Sequence, residues 1–227
     1  NTVRLAEKLG VDTITCFSGC PGDCEASRYP NWVTCAWPDD NLDILKYQWD
    51  KVLIPYWKSF AQSAKDCGVS KIALELHPGF SVYNVDTLKR LREAVGPEIG
   101  VNFDPSHLLW QGMEPVAVIR AFAGMIYHVH AKDVCIDRYN TARNGVLDTK
   151  HYSDETHRSW IFRTIGYGND AKYWKDIFSE LRKTGYDGTI SIEHEDSLIN
   201  RLEGLQHAVD MVKSCAIFAE TSGMWWA

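Results

Sequence analysis

VNFDPSHLLWQG, residues 101–112, decides how this chain folds. Val101 and Phe103 are apolar and strand-like, while Asn102 and Asp104 point the other way, because successive side chains of a strand alternate between faces. An acid, a proline and a histidine then fall within the four residues Asp104 to His107. A covered strand that ends in a carboxylate and an imidazole needs partners from outside its own segment.

Composition limits where those partners can come from. At 227 residues the chain is long enough for one sizeable core. Hydrophobic content of 45% and charged content of 24% describe an ordinary soluble globular protein. The net charge of −6 argues against a nucleic-acid surface, which needs clustered Lys and Arg. No apolar run approaches the ~18 residues of a membrane span, and no basic-then-apolar leader opens the sequence. No nucleic acid and no membrane are therefore expected as partners, and a cytoplasmic location is. The seven cysteines are expected to be reduced thiols. CFSGCPGDC (16–24) tempts a metal reading, but its three-residue gaps match neither zinc-site pairs nor a redox CxxC.

Strand and helix alternate along the chain. Strand-like VDTITCFSG follows the helical TVRLAEKLG, and a Trp-, Pro- and Gly-rich loop precedes a helix over 42–66 with Leu45, Trp49, Leu53 and Trp57 at helical spacing. KIALELH, IGVNFDPSH, MIYHVHAKDV and GTISIEHED are strands separated by helical segments. SWIFRTIGYG (159–168) is ambiguous between strand and turn, and a long polar loop covers 136–159. Units of roughly 25–30 residues predict parallel βαβ construction. Six strands are visible, which fits strands 3 to 8 of a TIM (β/α)8 barrel over 1–227, a single domain with its first two strands missing from the chain. An open doubly wound sheet is the alternative.

The polar residues favour the barrel. Ala73, Glu75 and His77 share one face; so do Gly100, Asn102 and Asp104; so do His128, His130 and Lys132; so do Ser191, Glu193 and Glu195. Each strand turns polar on one face toward its C-terminal end, which is where a barrel gathers its active site. Glu75, Asp104, His130 and Glu193 occupy that face at one-unit spacing, with one strand skipped before Glu193. Three converging carboxylates repel unless a cation joins them. Carboxylates and an imidazole suit one divalent metal, Mn2+ foremost, with Mg2+, Co2+ or Zn2+ as other choices. Asp104 in particular has a competing role as cap of the following helix, and His128, one step deeper, reads as a core histidine.

ALELHPGF, NFDPSH, HVHAKD and SIEHED together resemble the metal-strand motifs of the sugar phosphate isomerase/epimerase family, the xylose isomerase-like TIM barrels. The resemblance implies that Glu75, Asp104, His130 and Glu193 are ligands and that Glu75 and Glu193 flank the substrate as acid and base. It also implies that His107 and Lys132 bind substrate oxygens, with His77 on the same inward face as a further candidate. The chemistry stands without the family: a metal that chelates a ketone and its neighbouring hydroxyl acidifies the C–H bond between them. Two carboxylates then move the proton, which isomerises or epimerises a keto sugar. Trp32 and Trp37 in YPNWVTCAW are candidate lid residues over a sugar ring, or else anchors of the loop.

The same enolate can instead expel a leaving group. That makes a lyase, a dehydratase or an enzyme cleaving 3-oxo-glycosides, with a small partner subunit among its expected companions; otherwise a homo-oligomer is expected. An abasic-site endonuclease or a non-catalytic sugar-binding barrel are the remaining readings. The apolar end GMWWA hints at a packing interface.

Overall fold

The computed structural model describes residues 1–226. In chain order its elements are α1 (Thr2–Leu9), β1 (Thr13–Cys16), α2 (Asp40–Tyr47), a π-helical turn (Gln48–Leu53), α3 (Ile54–Asp66), β2 (Lys71–Glu75), α4 (Val85–Val95), β3 (Ile99–Phe103), α5 (Pro105–Leu109) and α6 (Pro115–Ala121). There follow β4 (Ile126–Ala131), β5 (Asp133–Ile136), α7 (Arg138–Asn144), β6 (Trp160–Arg163), α8 (Ala171–Lys183), β7 (Ile190–Ile192) and α9 (Arg201–Cys215). No helix among the described residues is long and apolar enough to cross a membrane. Of GMWWA, Met224, Trp225 and Trp226 are exposed, and Ala227 lies outside the described residues.

The chain divides into two compact units: Asn1–His130 with Gly188–Ser191, and Ala131–Asp187 with the chain from Ile192 onward. The first carries a five-stranded sheet in the order β1-β2-β3-β4-β7. β1 pairs with β2, β2 with β3 and β3 with β4, all parallel. Ile72, Leu74, Val101 and Phe103 are fully buried, and Ala73 and Asn102 on the opposite face are covered as well. Helices between the strands supply the crossovers that parallel pairing demands.

Local chemistry explains the helix limits. Asn84 and Thr87 form a reciprocal capping box at the start of α4, Asn84 Oδ1 accepting from Thr87 N (3.0 Å) and Thr87 Oγ1 from Asn84 N (3.1 Å). The helix expected over 42–66 runs from Asp40 to Asp66 and buries Trp49, Leu53 and Trp57, but it widens into a π turn at Gln48. Gln48 is buried there and donates through Nε2 to Pro21 O (2.8 Å) and Asn31 O (2.7 Å). The helix thereby ties down the loop that precedes it.

The second unit differs from the sequence expectation. SWIFRTIGYG does not add a sixth parallel strand; β6 pairs antiparallel with β5 in a separate two-stranded ribbon, Asp133 opposite Arg163 and Ile136 opposite Trp160. The reason lies in the connection. A parallel strand needs a crossover helix, and the excursion from 137 to 159 holds only the seven-residue α7. The turn after β6 is fastened by Asp133, which is fully buried. Its Oδ2 accepts from Gly166 N (2.9 Å), Gly168 N (3.1 Å) and Asn169 N (3.0 Å). Its Oδ1 accepts from Val134 N (2.8 Å) and Asn169 Nδ2 (2.7 Å). Burial pushes this carboxyl up, and the hydrogen bonds pull it partly back.

Candidate metal centre

The parallel register of the first unit sets Glu75 beside Asn102, and Asn102 beside His128. Side chains of one face therefore line up across β2, β3 and β4. Glu75 and Asp104 are almost completely buried, at 5% and 1% exposure. Glu75, Asp104 and His130 each present one oxygen or nitrogen, and these atoms lie within 4.8 Å of one another.

Several groups hold them there. His107 Nε2 sits 3.2 Å from Glu75 Oε1 and 3.3 Å from Asp104 Oδ2, so one buried imidazole bridges both carboxylates. His130 Nδ1 lies 3.3 Å from Glu75 Oε2, and Asn102 Nδ2 donates to the same oxygen at 3.3 Å. Burial by itself raises the Glu75 carboxyl, but the hydrogen bonds and charge of His107 and His130 outweigh it and hold Glu75 well below the usual carboxylate range. Asp104 takes the capping role that its sequence position offers, and its second oxygen stays with the site. Its Oδ1 caps α5 through Ser106 N (2.9 Å) and accepts from Ser106 Oγ (2.7 Å), while Oδ2 faces His107.

The other candidates fall into groups. His77 packs against His107 at 4.1 Å between ring centroids, the rings tilted by 54°, and meets Phe17 and Phe80 edge-on. His128 bonds Ser191 Oγ (2.9 Å); burial first, and then the charge of His130, lower its basicity. In the second unit Lys132, 3% exposed, reaches Glu193 and Glu195 at 3.2 Å each and lies over the Phe162 ring at 4.1 Å. Glu193 N donates to Ala131 O (3.0 Å). Trp32 packs edge-on against Tyr83, beside a cavity of about 100 Å3 lined also by Gln48 and Trp49. Trp37 is 77% exposed and precedes a cis proline. Cys16, Cys20 and Cys24 are free thiols, and burial pushes Cys16 up to about 12.

Two polar residues went unassigned in the sequence. Asn102 and Glu195 each share a strand face with a candidate ligand, and that shared face was the signal. Neither is a usual metal-strand signature, so only the contacts reveal them.

Two buried carboxylates and an imidazole, as oxygen and nitrogen donors within 4.8 Å, are a donor set that fits a hard or borderline divalent cation. The set matches no soft, thiolate-seeking metal.

Known proteins resemble this chain in sequence and in fold. YfiH of Bacillus subtilis, described as uncharacterized, is 45% identical over 214 residues, which is 93% of this chain and 68% of YfiH. The inosose dehydratase of Geobacillus kaustophilus is 28% identical over 177 residues, covering 76% of this chain and 54% of that enzyme. Among solved structures, a xylose isomerase domain protein from Planctomyces limnophilus superposes with a TM-score of 0.59 at 19% identity, over 94% of this chain and 61% of that one. The chain thus spans little more than half the length of the dehydratase and about two thirds of YfiH. The family model described as a xylose isomerase-like TIM barrel matches residues 1–215, and the chain belongs to that family.

Proposed function

We propose that this chain carries the metal and acid–base machinery of a divalent-metal-dependent isomerase or epimerase acting on a keto sugar. The observation that carries the proposal is the convergence of buried Glu75 and Asp104 with half-buried His130. Glu193 is the fourth ligand in this scheme, and Mn2+ is the expected ion. Bound by these residues, the cation would supply Lewis-acid polarisation of the ketone and offset the negative charge of the enediolate.

The rest follows from the side chains. Glu75 and Glu193 work as a pair. One removes the proton from the carbon between carbonyl and hydroxyl, and the other returns a proton to the opposite face, inverting that centre. His107 aims Glu75 by holding Oε1, and Asn102 holds Oε2. Lys132 fixes Glu193 and brings a buried positive charge to the oxygens of the substrate. His77, flanked by Phe17 and Phe80, offers a polar edge beside an apolar wall. Trp32 serves the loop as an anchor in this scheme, since its ring is engaged by Tyr83.

A second reading is dehydration. The similarity to inosose dehydratases favours it. There the same enolate expels a β-hydroxyl, which leaves as water after taking the proton that one of the two carboxylates carries.

Proton exchange tests both. With Mn2+ and a panel of ketoses and inososes in D2O, deuterium is expected at the carbon next to the ketone. Glu75→Gln and Glu193→Gln are each expected to slow that exchange by about 10²–10⁴-fold. An epimer as product supports the first reading, and an unsaturated ketone supports the second. Exchange at the wild-type rate in both variants would overturn the acid–base assignment.

A further inference from the structure

β7 stops at Ile192, and residues 193–196 continue without regular secondary structure. Glu193 therefore lies just past the end of β7, where its N donates to Ala131 O. A side-chain relay within the second unit fastens the residues that follow. Thr164, 1% exposed, donates to Asp196 Oδ2 through both its backbone N (2.7 Å) and its hydroxyl (3.0 Å). The same hydroxyl oxygen lies 3.0 Å from His194 Nε2.

Chemistry fixes the direction of this chain of bonds. A hydroxyl has one proton, and an ionised carboxylate can only accept. Thr164 thus gives its proton to Asp196 and accepts from His194, which must carry hydrogen on Nε2. Leu198 N (2.9 Å) holds Asp196 Oδ1, and Arg163 Nη1 approaches it at 3.6 Å. Gly204 of α9 makes room for the ring, since a Cβ there would meet His194 Nε2 at 2.0 Å. His194 and Asp196 alternate with Glu193 and Glu195, so fastening one pair constrains the other.

We propose that the His194–Thr164–Asp196 relay is the positioning device for Glu193. The inference rests on the reading of Glu193 as a metal ligand; the three relay residues act through it.

The test titrates Mn2+ into the full chain and follows free Mn2+ by electron paramagnetic resonance. Thr164→Val keeps the side chain's shape and removes the hydroxyl; it is expected to weaken Mn2+ binding about tenfold, as lost outer partners of a ligand do. Thr164→Ser should restore near wild-type binding. Nitrogen-15 spectra should place hydrogen on His194 Nε2 in the wild type and the Ser variant, with a mixture of tautomers in the Val variant. If Thr164→Val does not fold, His194→Phe breaks the same relay at a half-buried ring and should weaken binding in the same direction. Wild-type binding in the relay variants alongside weakened binding in Glu193→Gln overturns the inference and leaves the ligand role standing. Wild-type binding in Glu193→Gln overturns that role and the inference with it. Equal loss in Thr164→Val and Thr164→Ser, or Nδ1–H on His194 in the wild type, also overturns it.

Discussion

Gly100→Ala is a one-carbon change with a calculable cost. Gly100 is the buried second residue of β3, and a Cβ there would meet the Tyr127 ring at 2.3 Å and Met125 O at 2.6 Å. To reach ordinary contact the ring must retreat by about 1 Å. It is not free to do so. Tyr127 OH donates to Pro97 O (2.6 Å) and accepts from Arg92 Nη1 (3.1 Å), and the carbonyl belongs to the residue just before β4. Overpacking costs about 1–3 kcal/mol. Losing the two phenol bonds adds about 1 kcal/mol each. Restricting the unfolded chain gives back about 0.4–1 kcal/mol. The net expectation is a loss of about 2–5 kcal/mol, or roughly 4–20 °C in Tm for a chain of this size. Urea denaturation followed by tryptophan fluorescence measures it, with the slope checked for constancy. An unchanged or raised midpoint would refute the claim that β3 and β4 close on each other through the absent side chain.

Two further outcomes are expected. Asp148 is raised by burial, but Lys150 N, Ser159 N and the Lys150 ammonium pull its carboxyl down to about 2. Its folded value lies below the unfolded one, so the stability it contributes is present above about pH 4 and is lost as pH falls toward 2; Asp148→Asn should flatten that part of the melting-temperature profile, and an unaltered profile would remove Asp148 from it. Mn2+ at about 100 times its dissociation constant should stabilise the chain by about 2.7 kcal/mol, and excess chelator should reverse the gain. No thermal shift with any divalent ion would count against the metal centre.

The candidate site was legible where it rests on local pattern. Period-two alternation needs only neighbouring residues, so Glu75, Asp104 and His130 could be put on one face before any contact was known. What the alternation could not supply was pairing. β6 has a strand's composition, yet its partner and direction depend on Asp133, whose carboxylate gathers backbone donors more than thirty residues away. The lack of a long helical pattern between 137 and 159 was the readable warning. The π turn at Gln48 was equally hidden, because the helical stripe of Trp49, Leu53 and Trp57 survives it. Aromatic residues were the least informative: Trp32 and Trp37 share a loop, and only packing separates a ring held by Tyr83 from one that is solvent-exposed.

The ribbon of β5 and β6 has an evolutionary corollary. Ile136 and Trp160 face each other as paired residues, so the excursion between them departs and returns at one doorway. Closing a longer loop at such a doorway costs only a logarithm of its length. Insertions and deletions can accumulate there without shifting the register of any strand that bears Glu75, Asp104 or His130. Lineages can thus redraw this stretch of surface while the buried carboxylates stay where they are.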